Sequence, residues 1–251
     1  MKEVKLLSLV VPAYKQERTI IKDVTNTSDI LSSLHLNYEI IVVVDGFVDK
    51  TYELLVKQIK KKKIKNLKVI GHEKNKGKGF AIQQGFKEAR GDIVGFMDAG
   101  LDLDATCISL LLDLMIWENA DIVVGSKLHP ESKVNYPLYR TIMSWGYRTL
   151  TRILFGLSVR DTQVGLKFFK RSVVKKVFPR ILVKAFAFDI EILAVAHAFG
   201  YTRIYEGPIK LNFQDNSSIT SSNFWKVIYF MLWDTFAVFY RLKVLHFYNR
   251  E

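Results

Sequence analysis

Five short apolar runs, separated by polar turns and by stretches of helical periodicity, set the pattern of the first half of the chain. They are Leu6–Pro12, Tyr38–Asp45, Leu67–His72, Ile93–Met97 and Ile122–Gly125. Runs of this length with little polar alternation read as strands buried on both faces, the habit of parallel sheets. Helical spacing fills the intervals: Glu17–Leu34, Thr51 to about Lys62 with Thr51 as its cap, a segment opening at Gly79 with apolar Phe80, Ile82, Phe86 and Ala89, and Ile108–Trp117. The alternation predicts an α/β fold with a doubly wound, mostly parallel central sheet flanked by helices.

Past Ser126 the pattern changes. Tyr136–Phe155 reads as a long basic helix that keeps Arg140, Ser144 and Arg148 near one face, because residues four apart are neighbours on a helix. The segment VRDTQVGLKFFKR from Val159 is neither cleanly helical nor alternating. Phe188–Phe199 reads as an apolar helix, and Thr202–Phe213 as two strands around a turn at Gly207-Pro208. These shifts predict a catalytic unit over 1–222, with halves 1–126 and 127–222, and an amphipathic, aromatic-rich segment over 223–251.

The 251 residues suffice for one large core, and the 49% apolar content is that of a globular protein. A single cysteine, Cys107, excludes an internal disulfide framework and a multi-cysteine metal site. The five histidines are scattered without metal-ligand spacing, and no signal peptide is read in the first residues. The net charge of +12 calls for an anionic partner: nucleic acid, an anionic membrane surface or a phosphorylated substrate. With no zinc spacing or RNA-binding signature, nucleic acid is not expected.

Candidate chemistry gathers in GDIVGFMDAGLDLD, Gly91–Asp104. Ligands of open α/β sheets bind beyond the carboxyl ends of the strands, so Asp98 emerges at the ligand edge with Asp102 and Asp104 behind it. Carboxylates grouped there can hold a hard divalent cation, and Mg²⁺ commonly takes one or two of them plus substrate phosphates. The competing reading is an acidic loop that opens the next helix.

The segments VVPAYKQERTI, VVVDGFVDKT, NKGKGFAIQQGF, GDIVGFMDAGLD, DIVVGSK and VRDTQVGLKFFKR occur in the order found in family 2 glycosyltransferases. Over roughly positions 5–215 the chain resembles their polyprenyl-phosphate branch, the dolichyl-phosphate mannose and glucose synthases. The resemblance implies a GT-A fold, a nucleotide-sugar donor, a divalent metal (Mg²⁺ or Mn²⁺) and inversion at the anomeric carbon. It also assigns roles. Pro12, Ala13, Tyr14 and Glu17 match the loop around base and ribose, Asp45 the carboxylate that reads the base, and Lys76, Gly77 and Lys78 the turn over the donor. Asp98 and Ala99 match the start of the Asp-x-Asp metal motif, Lys127 an arginine after Gly-Ser, and Arg140 with Ser144 a phosphate-contacting pair.

Two positions depart from the family pattern. Val44 stands where a first acid usually precedes the base-reading one, and Gly100 where the second metal-motif acid should be, so Asp102 is the expected replacement ligand. Breaking a glycosyl–diphosphate bond leaves negative charge for a metal and fixed cations to stabilise. A phosphate monoester acceptor is already anionic and needs only cations to hold it in line, for which Lys127, Arg140, Arg148 and Lys167 are the candidates. A hydroxyl acceptor needs a base, and Asp161 and Asp189 are the carboxylates available, with turn bracing and helix capping as their structural alternatives. By resemblance, DTQVGLK leans towards UDP-glucose over GDP-mannose.

No stretch has the length and apolarity of a membrane-spanning helix, and Asp234 interrupts the apolar tail. Aromatic residues among Lys226, Arg241 and Lys243 suit a helix lying in a membrane interface, or one packed on the domain or on another protein. The expectation is thus a hexosyltransferase at the cytoplasmic membrane face, alone or with a membrane-protein partner. It takes sugar from a nucleotide donor to a polyprenyl phosphate. Transfer to a hydroxyl and non-catalytic sugar-nucleotide or nucleic-acid binding are the alternatives.

Overall fold

The computed structural model describes residues 4–61, 63–100, 103–132, 138–184, 187–211 and 224–249, without the side chains of 138–144 and 224–227. The chain runs β1 (Leu6–Ala13), α1 (Ile20–Ser33), β2 (Asn37–Asp45), α2 (Thr51–Lys60), β3 (Leu67–His72), α3 (Lys78–Glu88), β4 (Ile93–Met97), α4 (Cys107–Trp117) and β5 (Ile122–Ser126). Then come α5 (Leu138–Phe155), β6 (Leu166–Lys170), α6 (Arg171–Val177), α7 (Phe188–Ala198), β7 (Ile204–Pro208) and α8 (Phe224–Phe239), which continues into a π-turn and a short 3₁₀ turn ending at Asn249.

The strands form one sheet in the order β3-β2-β1-β4-β6-β5-β7. All neighbours are parallel except β6, which runs antiparallel between β4 and β5. This explains the ambiguous reading of VRDTQVGLKFFKR: its second half is a strand, inserted against the grain. The expected turn at Gly207-Pro208 is instead the end of β7, paired with Gly125 and Ser126 of β5. Proline is tolerated there because β7 is an edge strand.

Alternation along the strands divides the core. Ile41 and Val43 of β2 face α3, α6 and α7, while Ile40, Val42 and Val44 face α1, α2 and α4. On the first face Phe86, Phe96, Phe169 and Phe178 form a ring cluster with centroids 4.3–6.4 Å apart. Burying each such side chain contributes roughly 1.5–3 kcal/mol.

The reversal of β6 has a functional consequence. It brings Val164–Gly165, just before that strand, to the edge where β1, β2, β4 and β5 end.

Candidate active site

At the carboxyl edge the loops after β1 and β2 are stitched together. The Gln16 N–H donates to Thr51 Oγ1 (3.0 Å), Glu17 N–H to Asp49 Oδ2 (3.1 Å), and Lys50 N–H to Glu17 Oε2 (3.1 Å). Thr51 therefore does not cap α2 through its side chain. It is the first helical residue, its hydroxyl reaches the neighbouring loop, and Asp49 takes its N–H (3.0 Å). Burial works to raise the Asp49 pKa, but hydrogen bonds from Thr51 and Glu17 outweigh it and hold it low. Pro12 and Ala13 lie at the end of β1, with Tyr14 exposed beyond them and Lys15 stacked over its ring at 5.3 Å.

Asp45, at the end of β2, is buried and braces the turn opening α3. Its oxygens accept the Lys76 and Gly77 N–H groups, each at 2.8 Å, and His72 Nε2 lies 2.8 Å from Oδ1. His72 was not singled out in the sequence; the β2–β3 register that sets it opposite Asp45 is the signal that finds it. A carboxylate has about four acceptor positions, so this bracing leaves Asp45 one. Gly77 has φ +98°, and a β-carbon there would lie 2.6 Å from the Lys184 carbonyl. The turn thus requires glycine on both counts.

Asp98 follows β4. Its N–H bonds the Gly165 carbonyl (2.8 Å), and its carboxylate fills the space a Gly165 side chain would occupy. Lys78 Nζ lies 2.8 Å from each Asp98 oxygen, with hydrogen-bond geometry to Oδ2 alone. Oδ1 is buried without a hydrogen-bond donor. Lys78 is also 3.9 Å from Asp189, whose other oxygen pairs with Lys167 at 2.5 Å. The result is a row of alternating charge, Asp98–Lys78–Asp189–Lys167, with both ammonium groups 5.2–5.3 Å from the Phe96 ring centre. Burial alone would lower the Lys78 pKa, but Asp98 and Asp189 outweigh it and raise it. For Lys167 burial wins over Asp189, and the pKa falls.

Two expectations are corrected here. Lys167 does not face an acceptor phosphate: it is fully buried, and its ammonium bonds Asp189 and the Val164 carbonyl. Asp189 does not cap α7 through its side chain: it lies in the first turn, and its carboxylate is held by the lysines.

Beside Asp98 opens a cleft of about 240 Å³, lined among others by Ala99, Lys127, Gln163 and Gly165. Asp161 braces its wall. Oδ2 accepts the Lys127 N–H (3.1 Å), Oδ1 the Gln163 N–H (3.2 Å), and its own N–H reaches Glu206 (2.9 Å). Gly100, in place of the second metal-motif acid, donates its N–H to Asp23 of α1 at 2.7 Å. Asp102 lies outside the described residues, as do the side chains of Arg140 and Ser144; Arg148 is half-buried on α5.

The residues fit a divalent cation in one respect: Asp98 presents a carboxylate with an unbonded oxygen at the sheet edge. Among the described residues no group of three His, Cys, Asp or Glu is arranged around a metal position. A cation at Asp98 would therefore complete its shell with phosphate oxygens and water, the habit of Mg²⁺.

The C-terminal helix touches one residue of this cleft, Gln163. Gln163 Nε2 contacts Met231 Sδ of α8 (2.9 Å), and the Tyr147 hydroxyl of α5 bonds Thr235 of α8 (2.9 Å). Burial pushes the Tyr147 pKa up to about 12. Val238, Leu242 and Tyr248 enter the core, while Tyr229, Phe230, Trp233, Phe236 and Tyr240 stay exposed. Buried Glu191 of α7 accepts the Tyr248 hydroxyl and the Leu182 and Val183 N–H groups. Among the described residues no helix is long and apolar enough to cross a membrane.

A family model described as glycosyl transferase family 2 matches residues 8–178. The chain belongs to glycosyltransferase family 2. A dolichyl-phosphate beta-glucosyltransferase of Trichomonas vaginalis is 34% identical to this glycosyltransferase over 94% of the chain and 74% of its own length. The enzyme of that name from Drosophila melanogaster is 30% identical over 92% and 76%. Among solved structures, glucosyl-3-phosphoglycerate synthase from Mycobacterium tuberculosis, in complex with Mn²⁺, UDP and phosphoglyceric acid, superposes with a TM-score of 0.67. The match covers 94% of this chain and 78% of that one at 18% identity, and it shows the GT-A fold.

Proposed function

We propose that this glycosyltransferase transfers glucose from UDP-glucose, with inversion, to a polyprenyl phosphate of the dolichyl type. Similarity to dolichyl-phosphate beta-glucosyltransferases supports both sugar and acceptor, and the DTQVGLK segment leans the same way. A neighbour of the same fold holds Mn²⁺ and UDP, which supports a metal-assisted uridine donor.

The observation that carries the choice of acceptor is the state of the carboxylates beside the cleft. Asp161 accepts backbone N–H groups on both oxygens, and Asp189 is held between two lysines. Both are engaged in bracing contacts, so neither stands as a base dedicated to an attacking hydroxyl. A phosphate monoester needs no such base, because it arrives ionised. What it needs is positioning against its repulsion from the donor diphosphate.

Residue roles follow. The loop Pro12–Glu17 and Asp45 take the nucleoside, Asp45 through its remaining acceptor position, and the turn Lys76–Lys78 covers the donor. Asp98 would hold Mg²⁺ or Mn²⁺, and Asp102 is the proposed replacement for the acid missing at Gly100. When bound, the metal stabilises charge developing on the departing diphosphate. Lys127, with Arg140, Ser144 and Arg148 of α5, orients the acceptor phosphate. Asp161 positions Lys127 through its backbone instead of moving a proton. Residues 1–126 supply the donor half and 127–222 the acceptor half, while the exposed rings of the segment 223–251 face the lipid.

The exposed ring face of α8, with exposed Lys243 near its end, rests in the headgroup region of an anionic membrane surface on the cytoplasmic side, whereas Arg241, against expectation, turns inward to Tyr248 and Glu191. This suits an acceptor whose phosphate is presented at a bilayer.

The donor assignment is tested by melting the protein with UDP-glucose, UDP and GDP-mannose, each with Mn²⁺ and with EDTA. A ligand bound only by the native state raises the melting temperature. The expected result is a rise with the uridine compounds that EDTA reverses. A rise with GDP-mannose alone would reassign the donor, and no rise with any would remove the donor reading.

A further inference from the structure

We infer that Lys78 is the resident counter-ion of Asp98: its ammonium holds the metal-ligand carboxylate while no metal is bound, and turns towards Asp189 when a divalent cation takes its place. The inference rests on the reading of Asp98 as a metal ligand and goes further, giving Lys78 a role before any donor arrives.

The geometry carries it. Lys78 Nζ stands 2.8 Å from both Asp98 oxygens, the position a small cation would seek, yet only Oδ2 receives a hydrogen bond. Oδ1 remains buried without a donor, so the ammonium satisfies the carboxylate's charge but not all its lone pairs. Asp189 lies 3.9 Å from the same nitrogen, which already sits between the two acids. A short side-chain rotation therefore exchanges one carboxylate for the other without leaving the ammonium unpaired. Lys167 holds the far oxygen of Asp189 and is fully buried, so that end of the row is fixed and the near oxygen faces Lys78.

The backbone is placed to let only the side chain move. Gly79 N–H is fixed to the Lys184 carbonyl at 3.1 Å and Asp98 N–H to Gly165, so neither main chain need shift. Without Lys78, the metal-free site would hold Asp98 and Asp189 against the single charge of Lys167. With it, the row is neutral. A cation arriving at Asp98 must then displace a charge instead of filling a gap. This weakens binding of free metal and favours metal that arrives with a diphosphate, whose oxygens offer Lys78 a second anionic partner.

The test is Mn²⁺ binding to the full chain without nucleotide, read from the electron paramagnetic resonance signal of free Mn²⁺. Lys78→Met and Lys78→Gln both remove the charge, and Gln keeps a donor for Asp98. Each is expected to bind Mn²⁺ about tenfold tighter or more, the order expected from removing one charge at contact distance. Lys78→Arg keeps the charge and should not bind tighter. Lys184→Met removes an exposed cation from the segment packed on that turn, one that does not pair with Asp98, and should change affinity less than about twofold. Unchanged affinity in Lys78→Met and Lys78→Gln, while wild type binds Mn²⁺, would overturn the counter-ion role and leave the metal site standing. Equal tightening by Lys184→Met would overturn it too, as a diffuse field effect. If no variant binds Mn²⁺ even with UDP present, the metal reading of Asp98 falls along with it.

Discussion

The carboxylate of Asp98 lies in the space where a side chain on residue 165 would begin: a β-carbon built on Gly165 comes within 2.0 Å of Asp98 Oδ2. Two segments flanking neighbouring antiparallel strands, just after β4 and just before β6, thus share one volume. Gly165→Ala should push the carboxylate away, or separate the strands at a cost of roughly 1–3 kcal/mol. The expected outcome is a loss of sugar-transfer rate of about a hundredfold or more, from a misplacement near 1 Å. A steady-state rate assay alongside thermal melting separates the two effects; full activity in Gly165→Ala would remove Asp98 from the site.

Asp121 stitches the far part of the sheet. It pairs with Arg203 before β7 (2.8 Å) and Lys170 at the end of β6 (3.5 Å). Burial tends to raise its pKa, but the hydrogen bonds and charge of Arg203 prevail and lower it from 3.8. A carboxylate with a lowered folded-state pKa stabilises the fold above its ordinary value, and that stability is lost as pH falls through the folded value. Asp121→Asn should therefore cost about 1 kcal/mol near neutral pH, discounted for the half-exposed Arg203. The gap to wild type should close as pH drops below 3.8. Denaturant melts across that range check it; a gap independent of pH would contradict it.

Tyr248 secures the C-terminal segment. Burial raises the Glu191 pKa, opposed by the Tyr248 hydroxyl and two backbone N–H groups. A raised folded-state value means that stability falls as pH climbs from the ordinary 4.5 through the raised value. Tyr248→Phe removes one donor from a buried carboxylate, an expected loss of roughly 1–3 kcal/mol. At about 2–4 °C per kcal/mol for a chain of this size, calorimetry should register it, and the decline with pH should steepen.

Most of the architecture was legible because it follows from periodicity. β1, β2, β4 and β5 are buried on both faces and read as apolar runs, and the half-buried edge strand β3 still carries enough apolar residues to read as one, so β1 to β5 fall within a residue or two of expectation. What escaped lacks that signature. β6 carries Lys167 as its second residue, a charge tolerated in the core because Asp189, some twenty residues on, arrives to pair with it. No local pattern announces such a partner. The same blindness made Lys167 look like a substrate cation and Asp189 like a helix cap. Motif order led to Asp98, Asp45 and Lys127, and turn bracing by Asp161 was already one of its two sequence readings; the bracing roles of Asp45 and His72 emerged only from the register between strands and loops.

The exposed rings of α8 give a prediction about membranes. Tyr229, Trp233, Phe236 and Tyr240 recur at helical spacing, and Trp233 is 64% exposed. Trp233→Ser with Tyr229→Ser should leave melting within about 0.5 kcal/mol of wild type. The pair should still abolish most co-sedimentation with vesicles containing anionic lipid. Undiminished sedimentation would place the membrane contact elsewhere.

The central claim is the transfer itself, and the direct measurement is a product assay. Purified protein is given UDP-[¹⁴C]glucose and Mn²⁺ with detergent-dispersed polyprenyl phosphate or, in parallel, the matching polyprenol. The account predicts a labelled lipid from the phosphate alone, with β configuration at the anomeric carbon and none formed in EDTA. Labelled lipid from the free alcohol, or label retained in the α configuration, would contradict it.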